Sequence, residues 1–128
     1  MKVLVILNSL AAIVAVTPSS TSIAARSTTA VSLTAVVNVD GSLARSRGAV
    51  SSSQLGVDGQ YEVVFNRDVS NCAYVASGGE ATTLPPDDAV VFTVAPRDGN
   101  ANAVFVQEWD GVLGRDSYSS GFHLVVIC

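Results

Sequence analysis

The chain has 128 residues, 48% hydrophobic and 14% charged, with seven basic and eleven acidic side chains and a formal net charge of −4. The surplus of carboxylates excludes nucleic acid and anionic membrane surfaces as partners, because phosphate is held by clustered lysine and arginine. With two cysteines and one histidine, no recognised zinc spacing can be assembled and no cofactor is expected.

Residues 1–25 read as a cleavable signal peptide. Lys2 gives a positive start, residues 3–16 are apolar except Asn8 and Ser9, and a small polar tail ends in Ile23, Ala24 and Ala25. The apolar run falls short of the ~20 residues that a membrane-spanning helix needs, so no membrane anchor is expected. Residues 26–128 then form one secreted domain, long enough to bury somewhat over ~60% of its unfolded surface. Its six arginines face eleven carboxylates, a balance of −5.

The dominant period in this domain is two. Val31, Leu33, Ala35, Val37 and Val39 share one face of a half-buried strand, and Asp40-Gly41 supplies the turn after it. Residues 42–57 carry little pattern, and an edge strand is placed within 43–50. Tyr61, Val63 and Phe65 alternate with polar neighbours, and after a polar segment Cys72, Tyr74 and Ala76 do the same. Pro85, Pro86, Asp87 and Asp88 break the chain before Val90, Phe92 and Val94, and residues 96–100 break it again before a strand over 103–109. Asp110-Gly111 tolerates the positive φ of a hairpin turn, and Leu113 opens a short return strand. In residues 122–128 both faces are apolar, which predicts a central strand. About seven short strands between turn signals, with no helical period, imply an all-β fold, an antiparallel β-sandwich. An open barrel alternates in the same way and is the other architecture the pattern allows.

In an exported protein an even pair of cysteines is expected to be bridged, and both are in phase with apolar neighbours: Cys72 with Tyr74, Cys128 with Leu124 and Val126. One disulfide between Cys72 and Cys128 is therefore predicted.

Candidate chemistry is sparse. His123 is the sole histidine, so a Ser-His-Asp machinery would need it with Ser119 or Ser120, yet no Gly-x-Ser-x-Gly elbow is present and His123 reads as an outward strand residue. Asp98, Asn100 and Asn102 open like an EF-hand calcium loop, but the sixth position is Ala103 instead of glycine and the twelfth is Trp109 instead of glutamate. A calcium site of other geometry would draw on Asp87, Asp88 or Asp116. A glycosidase would need two carboxylates held a few ångströms apart, and the glutamates available are Glu62, Glu80 and Glu108. Trp109 and Tyr118, with Asp110, flank a connection that can present a sugar-binding surface, although Trp109 reads first as a core residue.

Residues 39–45 (Val-Asp-Gly-Ser-Leu-Ala-Arg), residues 59–69 (Gly-Gln-Tyr-Glu-Val-Val-Phe-Asn-Arg-Asp-Val) with Cys72, Ala73 and Tyr74 after them, and the ending Phe122, His123, Leu124, Val125, Val126 resemble small secreted bacterial proteins. More distantly they are similar to C1q-like and fibre-tip head domains. The resemblance spans about residues 35–128; it implies a compact β-sandwich with a display or interaction role and brings no catalytic residues. The expectation is a secreted, extracellular structural or binding module whose partner is an extracellular protein or a glycan, with homo-oligomerisation left open. Its rivals are a carbohydrate- or calcium-binding module and a small secreted hydrolase.

Overall fold

The computed structural model describes residues 14–15, 29–57, 59–83, 90–110 and 120–128. Among them the chain forms eight strands and no helix: β1 Ser32–Val37, β2 Leu43–Arg47, β3 Ala49–Gln54, β4 Gln60–Phe65, β5 Ala73–Gly78, β6 Val90–Pro96, β7 Ala103–Asp110 and β8 Phe122–Ile127. They make two wholly antiparallel sheets, a front sheet in the order β2-β1-β8-β5 and a back sheet in the order β3-β4-β7-β6.

The two sheets face each other across one core, as the alternation requires. Leu33, Ala35 and Val37 of β1 and Phe122, Leu124 and Val126 of β8 meet Tyr61, Val63 and Phe65 of β4 and Val104 and Val106 of β7, all of them buried. Rings cross the interlayer gap: Phe122 lies 5.1 Å from Tyr61 and 5.3 Å from Phe92, both tilted. β8 is central, between β1 and β5, as its two apolar faces predict. Val31 and Val39, expected at the ends of the first strand, lie just outside β1 and are exposed.

The weakly patterned segment holds two edge strands instead of one. β2 and β3 lie on opposite sheets and are divided at Gly48, which carries φ +88°. A Cβ at Gly48 would stand 2.6 Å from Leu33 Cδ2, so the chain crosses between layers where only glycine combines that φ with that approach. β2 is exposed along nearly its whole length, which is why no apolar alternation marks it. This second strand raises the expected seven to eight.

Turns are built by short side chains. In the β1–β2 turn the Ser42 backbone N–H and hydroxyl both donate to Asp40 Oδ1, at 2.9 and 2.6 Å. Ser70 repeats this on Asp68 Oδ1, also at 2.9 and 2.6 Å, in the β4–β5 connection. That connection is anchored by Val69, which is fully buried and whose carbonyl accepts the Tyr74 hydroxyl. The Cys72–Cys128 disulfide is present, with Cα atoms 4.5 Å apart and a sequence separation of 56. It continues the β5–β8 ladder by one rung beyond Ala73 and Ile127. The expected signal peptide, apart from residues 14–15, falls outside the described residues, as do the breaker at residues 85–88 and the return strand at Leu113.

Candidate functional site

Val104 and Val106 point into the core, so strand alternation turns Phe105, Gln107 and Trp109 of β7 to the opposite, outer face of the back sheet. The register supplies their neighbours. On the β6 side Ala95 sits opposite Phe105, Thr93 opposite Gln107 and Val91 opposite Trp109. On the β4 side Glu62 is opposite Phe105 and Gln60 opposite Gln107.

Trp109 is therefore not a core residue. Its indole is half-buried against β6, and its Nε1–H donates to Thr93 Oγ1 at 3.1 Å, a diagonal cross-strand bond that fixes the ring on the surface. Val91 beside it is 54% exposed. Four residues along the strand, roughly 13 Å away, Phe105 forms the second aromatic position. Between them Gln107 is held down, its Nε2 donating to the carbonyls of Gly59 at 3.3 Å and Glu108 at 3.1 Å. At the Phe105 end Arg97 Nε donates to Glu62 Oε2 at 2.8 Å. The outer side of β7 thus carries a half-buried ring toward each end, a buried and hydrogen-bonded Gln107 between them, and one ion pair beside Phe105.

The three glutamates considered for hydrolysis do not share a face. Glu62 lies on the outer face of the back sheet. Glu108, on the adjacent strand, is turned inward and fully buried, with the Tyr61 hydroxyl donating to its Oε2 at 3.4 Å. Glu80 belongs to the front-sheet side, where its Oε1 accepts the Gly121 backbone N–H at 3.3 Å. Glu62 and Glu108 are turned to opposite sides of the back sheet, so those two do not form an acid–base pair of the glycosidase kind.

His123 lies on the outer face of the front sheet, its Nε2 3.2 Å from the Glu80 carbonyl. Ser120 is fully buried, and its Oγ has no hydrogen-bond partner. Three positions apart on the last strand and its approach, the two belong to opposite faces, and no Ser-His pair forms. Ser119 lies outside the described residues.

Asp98, Asn100 and Asn102 occupy the β6–β7 turn. There Asn100 Oδ1 accepts the Asn102 backbone N–H at 3.1 Å, so one of the three oxygens expected for calcium is spent on the turn itself. Residues 96–101 with Ser70 line an open depression of about 650 Å³. Among the described residues no group of three or more histidine, cysteine, aspartate or glutamate side chains is placed to hold a metal. Asp110 ends β7 beside Trp109. Asp87, Asp88, Asp116 and Tyr118 lie outside the described residues.

Among the described residues, Asp40, Asp68 and Tyr74 have displaced acidities. The Ser42 hydroxyl, followed by its backbone N–H, holds the Asp40 carboxyl below 3.8, and Ser70 does the same for Asp68. Burial, and secondarily the charge of Asp68, pushes the Tyr74 phenol above 10.0. All three serve turns and packing, and none is on the aromatic face.

Sequence reasoning singled out Trp109 but missed Phe105, Gln107, Glu62 and Arg97 as its companions. A signal was present: in residues 103–109 the positions 105, 107 and 109 alternate with Val104 and Val106, and a continuous apolar run conceals which set faces water. No described helix is long and apolar enough to cross a membrane. Comparison with protein-family models, with curated proteins and with solved structures found no match.

Proposed function

We propose that the protein is a secreted, extracellular binding module without catalytic chemistry of its own, which engages its ligand through the outer face of the back sheet. The observation that carries this reading is Trp109, a large aromatic side chain left on the solvent side of a sheet and fixed there by Thr93. A ring immobilised before contact loses little conformational freedom on binding, so more of its contact energy appears as affinity. The disulfide supports the extracellular setting, because such bonds persist in oxidising compartments. The turning of Glu62 and Glu108 to opposite sides of the back sheet supports binding over hydrolysis by that pair.

The test is an array of extracellular glycans and extracellular-matrix proteins probed with the oxidised domain and with a Phe105→Ala/Trp109→Ala variant. Binding by the wild type that is lost in a variant of unchanged far-UV circular dichroism is the expected result. Binding retained by the variant on every feature would move the function off this face.

A further inference from the structure

We infer that the protein pairs with a second copy of itself through β6, the edge strand of the back sheet, set antiparallel to its counterpart about a two-fold axis at Thr93. The two back sheets then become one continuous sheet.

The two sides of the sandwich are finished differently. β2 and β3 are the edges on one side. β2 carries Arg45 and Arg47, and the ladders of both strands are interrupted by register shifts, at Val36–Val37 and at Ala49–Ser51. Charges and bulges of this kind keep an edge from recruiting another strand. β5 and β6 are the edges on the other side, close enough that a Cβ at Gly78 would stand 2.8 Å from Val90 Cγ2. Neither contains a charged residue, and their ladders to β8 and β7 run without a register shift. β6 is the longer of the two at seven residues, and its Val90, Val91, Thr93 and Val94 are β-branched.

The phase of β6 defines what its edge offers. The Arg97 N–H donates to the Ala103 carbonyl at 3.0 Å, and bonded pairs recur at every second position of an antiparallel ladder. Val91, Thr93 and Ala95 therefore bond to β7, while Val90, Phe92, Val94 and Pro96 turn their backbone groups outward. Pro96 has no N–H to lose at such a position. Among the described residues no hydrogen bond reaches the outward groups of Phe92 or Val94. A row of donors and acceptors of this form is matched by another extended strand.

Symmetry and charge select the occupant. An axis at Thr93 sets Phe92 opposite Val94 of the second copy and Val90 opposite its Pro96, so that the whole strand overlaps and about six backbone hydrogen bonds form. Val91, Thr93 and Ala95, on the outer face, are small and uncharged, so two copies meet without like-charge repulsion. They also carry no charge by which a foreign strand would be chosen.

Sedimentation equilibrium of the oxidised protein over micromolar to millimolar concentrations tests this. The expected result is a reversible dimer, weakened about tenfold or more by Val94→Pro, which removes an outward N–H, and by Val91→Lys, which charges an edge position that is 54% exposed. Far-UV circular dichroism checks the fold of each variant, and Val91→Lys carries the test where the proline does not fold. Facing residues of a non-bonded pair have Cα atoms about 4.5 Å apart, within the span of a disulfide. Thr93→Cys should therefore oxidise to a covalent dimer, whereas Ser51→Cys, on the β3 edge, should form no bond between molecules. A monomer at every concentration would overturn the inference. So would a dimer that resists both edge variants and is not trapped by Thr93→Cys, or open-ended growth in place of a dimer.

Discussion

Replacing both bridged cysteines by alanine removes a covalent clip from an edge strand of the front sheet. β5 is an edge strand whose only in-sheet neighbour is β8, and the disulfide closes that ladder beyond Ala73 and Ile127. The bond spans 56 residues of sequence. Constraining a loop of that length in the unfolded chain is worth about 4 kcal/mol in the chain-entropy model. Whole domains of this size are stable by roughly 5–15 kcal/mol, so the Cys72→Ala/Cys128→Ala variant should retain a native fold only narrowly, or lose it at 37 °C. The double replacement is preferable to a single one, because a lone thiol would pair between molecules. In urea, with a slope of about 1–3 kcal/mol per molar, the midpoint should fall by roughly 1.5–4 M. Equilibrium denaturation followed by far-UV circular dichroism measures this, and amide exchange should show the largest loss of protection at β5. A loss below about 1 kcal/mol would refute the reasoning, since it would mean that β5 is held by its packing on the core through Tyr74 and Ala76 and that the bridge adds little.

Phe122→Ala empties the space between Tyr61 and Phe92 and should cost about 3–5 kcal/mol by urea denaturation, with a value under 1 kcal/mol contradicting its place at the centre of the core. Gly48→Ala should destabilise by more than about 2 kcal/mol, against about 1 kcal/mol for Gly99→Ala, because both have positive φ but only Gly48 has a neighbour where the Cβ would go. Equal costs at the two sites would show that the layer crossing does not depend on the Leu33 approach. Asp40 and Asp68 prefer their ionised form when folded, so stability should decline as pH falls below 3.8 through their lower native values. Carboxyl titration by NMR should give midpoints below 3.8, with Ser42→Ala raising Asp40 alone and Ser70→Ala raising Asp68 alone; unchanged midpoints would reject these serine contacts as the cause.

The parts of this architecture that were legible in the sequence are those in which one face of a strand is buried. Leu33, Ala35 and Val37, then Tyr61, Val63 and Phe65, alternate because one side of each meets the other sheet, and the pattern survives translation into structure residue by residue. The disulfide was legible for the same reason, since both cysteines keep the phase of their apolar neighbours. Edge strands gave no such signal. β2 packs little more than Leu43 on the core, and the serines of β3 show no contrast between faces, so the division at Gly48 could not be seen. Central strands fail in the opposite way. β7 is flanked on both sides, so its outer side chains are half-covered or buried, and Trp109 reads as core when it belongs to the outer face. Glu108 inverts the rule again, a charged residue type in the inward phase, whose burial beside Tyr61 no composition or period announces.

The pairing of β1 with β8 and of β8 with β5 also governs the order in which the molecule can assemble. β3, β4, β6 and β7 complete the back sheet without any residue beyond Asp110, and its four strands are joined to one another before β8 is needed. The front sheet has no such independence: until β8 arrives, β1 and β2 are an isolated hairpin and β5 a strand without a partner. Isolated hairpins are marginal in water, so the back sheet must wait with Tyr61, Phe65 and Val106 uncovered. The closing contacts join residues about 90 positions apart, as in Leu33 with Val126. Folding should therefore be slow for the domain's size, limited by the capture of β8, and the half-built sandwich that precedes it is the state most exposed to aggregation.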